Sequence, residues 1–144
     1  MSQPPPQQQN NEQDPPQSTI HPPHNSTPIL LPTTTFTGTV YLDLITHSPT
    51  ASIANVTFTP CARTYWHTHH GGQVIRVTSG SGWICDRGGQ ARRIKAGDVV
   101  WAPPGTTHWH GADEGSVLTH FVVGMGETEW LGEVGEEEYM NRVE

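Results

Sequence analysis

The strongest constraint on this chain is how its apolar residues are dealt out. From residue 36 onward they fall into short runs, FTGTVYLDLI, ASIANVTFT, QVIRVTSG, SGWICDR, ARRI, DVVWA, THWHG and SVLTHFVV, each cut off by Gly, Pro, Asp or Ser. Within the runs the order is a two-residue alternation: Val40, Leu42 and Leu44 share one strand face, and Leu118, His120 and Val122 share another. No long amphipathic helix and no internal repeat is present. Many short, evenly spaced strands with inward faces imply an all-β sandwich or barrel around one core. Only TEWLGEVGEEEYMNRVE lacks the strand pattern. It is expected to pack as a C-terminal extension anchored by Trp130 and Leu131 and to end in a short helical turn.

A length of 144 residues suits one domain. Residues 1–28 hold eight of the 13 prolines and a glutamine run with almost nothing apolar, so they are expected to form a disordered tail before a domain spanning 29–144. No basic-then-apolar leader and no bilayer-length apolar run is seen, so no membrane partner is expected. Two cysteines, Cys61 and Cys85, are too few for a disulfide framework; they read as buried, inert thiols in a reduced, cytoplasmic protein. The net charge of −7 sits at the two ends, with seven glutamates between residues 127 and 144. The middle is near neutral, which leaves no basic stripe for nucleic acid and points to a small-molecule partner.

The chemistry lies in WHTHHGGQ, Trp66 to Gln73. On a strand His67 and His69 project to one side, a pair able to chelate one divalent ion, while His70 falls on the other side. Gly71 and Gly72 let the chain bend, so that Gln73 can return a side-chain oxygen to the same point. In PPGTTHWHG a tight turn delivers His108, with His110 on the same face. Isolated strand histidines more often serve structure, and His21, His24 and His47 take that reading. For His67, His69 and His108 a shared metal is favoured, because converging imidazoles would otherwise repel one another when protonated.

The stretches HTHHGGQVIRVTSG and GDVVWAPPGTTH resemble, in order and spacing, the two sequence motifs of the cupins, which are small jelly-roll barrels. The resemblance implies His67, His69, Gln73 and His108 as metal ligands. Gln73 departs from the commoner glutamate. A neutral donor set leaves the full dipositive charge on the ion, favouring polarisation of an oxygen over redox chemistry. More closely, ARTYWHTHHGGQ, GDVVWAPPGTTHWHGA, LTHF and EWLGEVGEEEY are similar to the bacterial-type cupin hydroxynitrile lyases and their small relatives.

That likeness implies a divalent transition metal, manganese first, with iron, zinc, nickel or copper as alternatives. His110 and His120 are the candidate catalytic bases, with support of the ligands or a core hydrogen bond as the alternative role. Arg63 and Tyr65 are candidates for binding substrate at the pocket mouth, with surface or packing roles as the preferred reading for these two. Four of the five tryptophans, Trp66, Trp83, Trp101 and Trp109, read as packing residues, ordinarily at an oligomer interface. A homodimer is expected from the resemblance. Three functions are open: a metal-dependent lyase that breaks or makes a C–C bond, extending to a tailoring step on a polyketide; an oxygen-using dioxygenase; and a non-catalytic binding module. The intact ligand set counts against the last.

Overall fold

The computed structural model describes residues 1–3, 15–23 and 28–143. Most of the expected tail, and His24 with it, therefore lies outside the described residues; residues 15–23 are exposed and carry no regular structure.

The alternating runs form two antiparallel sheets that share one long strand. The first sheet contains, in spatial order, β1 (Ile29–Leu30), β3 (Val40–His47), β4 (Ala51–Phe58), β11 (Leu118–Met125), β7 (Gln73–Asp86) and β9 (Val99–Ala102). In the second, the latter half of β7 lies between β8 (Arg92–Lys95) and β10 (His108–Ala112). Beyond β10 come β5 (Arg63–Thr64) and β6 (His67–His69), paired in turn with β2 (Phe36–Thr37) and β12 (Thr128–Trp130). Where β7 passes from one sheet to the other, β10 approaches it closely at Gly82: a Cβ there would lie 2.0 Å from the Gly111 carbonyl oxygen. The result is the curled antiparallel jelly roll expected from the strand pattern.

One end of the space between the sheets is filled. Val40, Phe58, Ile75, Val77, Ile84, Ile94 and Leu118 pack there with little or no exposure, each side chain contributing about 1.5–3 kcal/mol by leaving water. Further along the same faces the packing opens. Leu42 and Leu44 of β3, Ser52 and Ala54 of β4, and Val122 and Gly124 of β11 line a cavity.

A second cluster lies on the far side of the second sheet, where Trp66, Trp83, Trp109, Cys85 and Val134 meet Tyr139 of α1 (Glu136–Met140). Tyr139 donates from its hydroxyl to the Ala112 carbonyl at 2.6 Å, and burial pushes its pKa up to about 12. Trp66, Trp83 and Trp109 thus pack within the chain, whereas Trp101 on β9 is 53% exposed. Two expectations change. The start of the C-terminal segment is a strand, β12, because Thr128–Trp130 completes the ladder of β6. Cys61 is exposed, in a left-handed turn at φ 69°, and only Cys85 is buried; both are free thiols.

Candidate metal centre and its cavity

Antiparallel pairing places His108 directly opposite His67. The turn after β6 is tight: Gly72 has φ +88°, and a Cβ on Gly71 would lie 2.8 Å from that of Met125. Glycine there lets β7 begin at once, so Gln73 lies beside the histidines. His67, His69, Gln73, His108, His110 and His120 are all buried, and all but His108 line the cavity.

The hydrogen bonds sort these side chains into two kinds. The Nδ1 atoms of His67 and His108 each face a backbone carbonyl, of Tyr65 at 2.9 Å and of Thr106 at 3.1 Å, to which the ring N–H donates. His69 Nδ1 is held by the Thr128 hydroxyl at 3.1 Å. Fixing Nδ1 in this way leaves Nε2 with a free lone pair, the arrangement by which proteins orient imidazole ligands. His108 Nε2 lies 3.0 Å from Gln73 Oε1, and His69 Nε2 is buried with no partner. His110 and His120 instead hold each other, Nδ1 to Nε2 at 2.9 Å, and their other ring nitrogens are buried and unpaired.

Burial favours the neutral form of all five rings. Burial holds His67 and His110 well below 6.5, reinforced by His108 for the first and His120 for the second. Burial also lowers His108, and brings His69 and His120 to about 4. Neutral imidazoles are the form that binds metal. A divalent ion fits this chemistry: His67, His108 and His110 offer nitrogens within 4.8 Å of one another, and the orphaned His69 Nε2 belongs to the ring stacked on His108 at 6.0 Å between centroids.

Arg63 and Tyr65 do not reach the cavity. Arg63 donates to the carbonyls of Val134 and Cys61 and lies over the Tyr139 ring at 4.4 Å, tying down the C-terminal segment. Tyr65 donates to the Thr33 carbonyl at 2.8 Å. The alternation breaks at Tyr65 and Trp66, between β5 and β6, so Thr64 rather than Arg63 lines the cavity with His67. The Thr64 hydroxyl accepts the His110 backbone N–H at 3.2 Å.

The cavity, of about 410 Å³, has walls that sequence reasoning missed: Leu31, Phe36, Phe58 and Trp130. Trp130 packs against the His67 ring at 4.8 Å and the Phe36 ring at 5.3 Å between centroids. His47, read as structural, also lines the cavity, while His70 is exposed as its parity required.

Residues 54–124 match the Cupin domain family. The chain is 43% identical over 112 residues to an (R)-mandelonitrile lyase of Granulicella tundricola, across 72% of this chain and 85% of that one. The chain is a cupin. A solved cupin-like protein from Thermotoga maritima superposes on this cupin with TM-score 0.76 at 40% identity, covering 80% of this chain and 92% of the other. An acetylacetone dioxygenase from Acinetobacter johnsonii shares the cupin fold, with TM-score 0.67 at 13% identity over 89% and 85% of the two chains.

Proposed function

We propose that this cupin is a divalent-metal-dependent lyase for small organic molecules, cleaving or forming a C–C bond beside an oxygen, with cyanohydrin cleavage as the leading case. The observation that carries the proposal is the division of labour in the centre. Three histidines have Nδ1 tied to an oxygen, and a fourth, His110, has Nδ1 tied to another imidazole. His67, His69, His108 and the Gln73 oxygen would hold the metal, manganese being preferred. Bound there, the ion supplies Lewis acidity toward a substrate oxygen.

The remaining chemistry belongs to the chain. A proton taken up at His110 Nε2 is balanced by release of the Nδ1 proton to His120 Nε2, across 2.9 Å. The pair can therefore accept a hydroxyl proton and move the resulting positive charge from His110 to His120, away from the reacting oxygen. In cyanohydrin cleavage the hydroxyl proton goes to His110, the O–H electron pair becomes the second carbonyl bond, and the C–CN pair leaves with cyanide. Cyanide then takes the proton back as hydrogen cyanide. The walls formed by Phe36, Phe58, Val122 and Trp130 exclude water from the polarised oxygen and suit an aromatic or aliphatic group.

The likeness to the Granulicella lyase supports this reading. The test is elemental analysis of the purified protein followed by mandelonitrile cleavage with oxygen monitored. Benzaldehyde and cyanide formed without oxygen uptake support the lyase; a metal-loaded protein that is inert to cyanohydrins and consumes oxygen with an organic substrate replaces it with a dioxygenase. We extend the proposal to a homodimer, which light scattering tests.

A further inference from the structure

The cavity has a second polar end. At the β3–β4 hairpin, His47 Nδ1 and Ser52 Oγ lie 2.6 Å apart, and both line the cavity. The turn beneath them is stiff: the Ser48 N–H donates to the Ala51 carbonyl at 2.8 Å, and the Ser48 hydroxyl accepts from the Thr50 and Ala51 amides. The pair is thus presented by a rigid corner.

Strand register places this corner relative to the metal centre. Ser52 is opposite His47 on one side and Gly124 on the other, and Gly124 is opposite Gln73. His47, Ser52, Gly124 and Gln73 therefore form one row across four strands, with Ser52 and Gln73 two strand spacings apart, roughly 10 Å between backbones. The position between them has no side chain. Gly124 is held to glycine by the centre itself, since a Cβ there would lie 3.0 Å from His69 Nδ1. The next row, Leu44, Ala54, Val122 and Ile75, is wholly apolar. The cavity is thus a trough with an apolar wall, the histidine centre at one end and a Ser–His pair at the other.

We propose that Ser52 and His47 form a recognition subsite for a hydroxyl group on the far end of the substrate, so that this cavity selects ring-sized carbonyl compounds, or their adducts, with a hydroxyl opposite the reacting carbon. The inference rests on the reading above only in placing the reacting oxygen at the histidine centre. A hydroxyl is the chemistry that fits. If the serine O–H donates to His47, its oxygen is left to accept; if His47 donates, the serine O–H is left to donate. A hydroxyl answers either state, whereas a carboxylate or an ammonium answers one.

The experiment is a ligand-observed NMR titration of the metal-loaded full chain with 4-hydroxybenzaldehyde and 4-methylbenzaldehyde, which needs no turnover. The hydroxyl compound is expected to bind at least fivefold more tightly to the wild type. In Ser52→Ala, and separately in His47→Phe, the two compounds should bind within twofold of each other. Equal affinities in the wild type, a preference that survives in both variants, or no binding of either aldehyde would overturn the subsite. A protein inert toward cyanohydrins that still shows the Ser52-dependent preference upholds the subsite while the lyase reading fails. An active lyase without the preference does the reverse.

Discussion

His120 Nε2 lies 2.9 Å from His110 Nδ1, with both rings buried and the outer nitrogen of each unpaired. One proton is shared between two neutral imidazoles, and the pair faces the same cavity as the candidate metal ligands. Removing one ring strands the other in the catalytic proposal. His120→Ala is expected to lower kcat for cyanohydrin cleavage by about 100-fold, the lower end of what a positioned base contributes. Metal content should be unchanged. Steady-state kinetics with parallel elemental analysis reads both.

The choice of ligands is open to a direct comparison. His67→Ala, His69→Ala and His108→Ala should each lose stoichiometric metal, whereas His110→Ala should retain it, because the His110 Nδ1 is committed to His120 rather than to a fixed oxygen. Metal lost from His110→Ala and kept in His69→Ala would reassign the centre to the tight group His67, His108 and His110.

Acid should weaken the metal-free fold. Burial holds His69 and His120 at about 4 against an ordinary value of 6.5. Between those values the unfolded chain binds protons that the folded chain refuses, so the folded state is fully favoured above 6.5 and loses stability as pH falls toward 4. The melting temperature of the chelated protein should fall by roughly 10 °C between pH 7 and 4.5. The metal-loaded protein should hold its stability to lower pH, since bound metal competes with protons for the same nitrogens.

Arg63 is a strut. Its guanidinium donates to Val134 and Cys61 and packs on Tyr139. Arg63→Leu leaves the buried Val134 carbonyl without this donor and removes the packing on Tyr139, and should cost roughly 3 kcal/mol, read by denaturant unfolding. Metal binding should survive. A variant of wild-type stability with weakened substrate affinity would restore the earlier expectation for this residue.

Removing residues 1–28 should leave metal content unchanged and move the melting temperature by no more than roughly 2 °C, since the ladder begins at Ile29, paired with Leu42. A larger loss would make the tail part of the fold.

The barrel was legible because its signals are local: two-residue alternation, and glycine or proline wherever the chain turns. The convergence of the histidines was legible for the same reason, as His67 and His69 share a parity and His108 and His110 share another. Errors arose where parity slips. An irregularity between Leu44 and Thr46 moves His47 onto the face of Leu42 and Leu44, against its odd number. The irregular residues Tyr65 and Trp66 turn Arg63 away from the face of His67. Phe36 and Trp130 were invisible as cavity walls because strands far apart in sequence bring them together, and no window of neighbouring residues records such pairing.

The pairing of β12 with β6 also makes the histidine centre depend on the far end of the chain. Thr128 holds the His69 ring from 59 positions along the chain, and Trp130 packs on the His67 ring. Two faces of the centre are thus supplied by a strand far from the histidine motif, and the site is complete only with β12 docked on β6. Loss of β12 alone is therefore expected to open the His67 and His69 rings to water while every candidate ligand is still present in the chain.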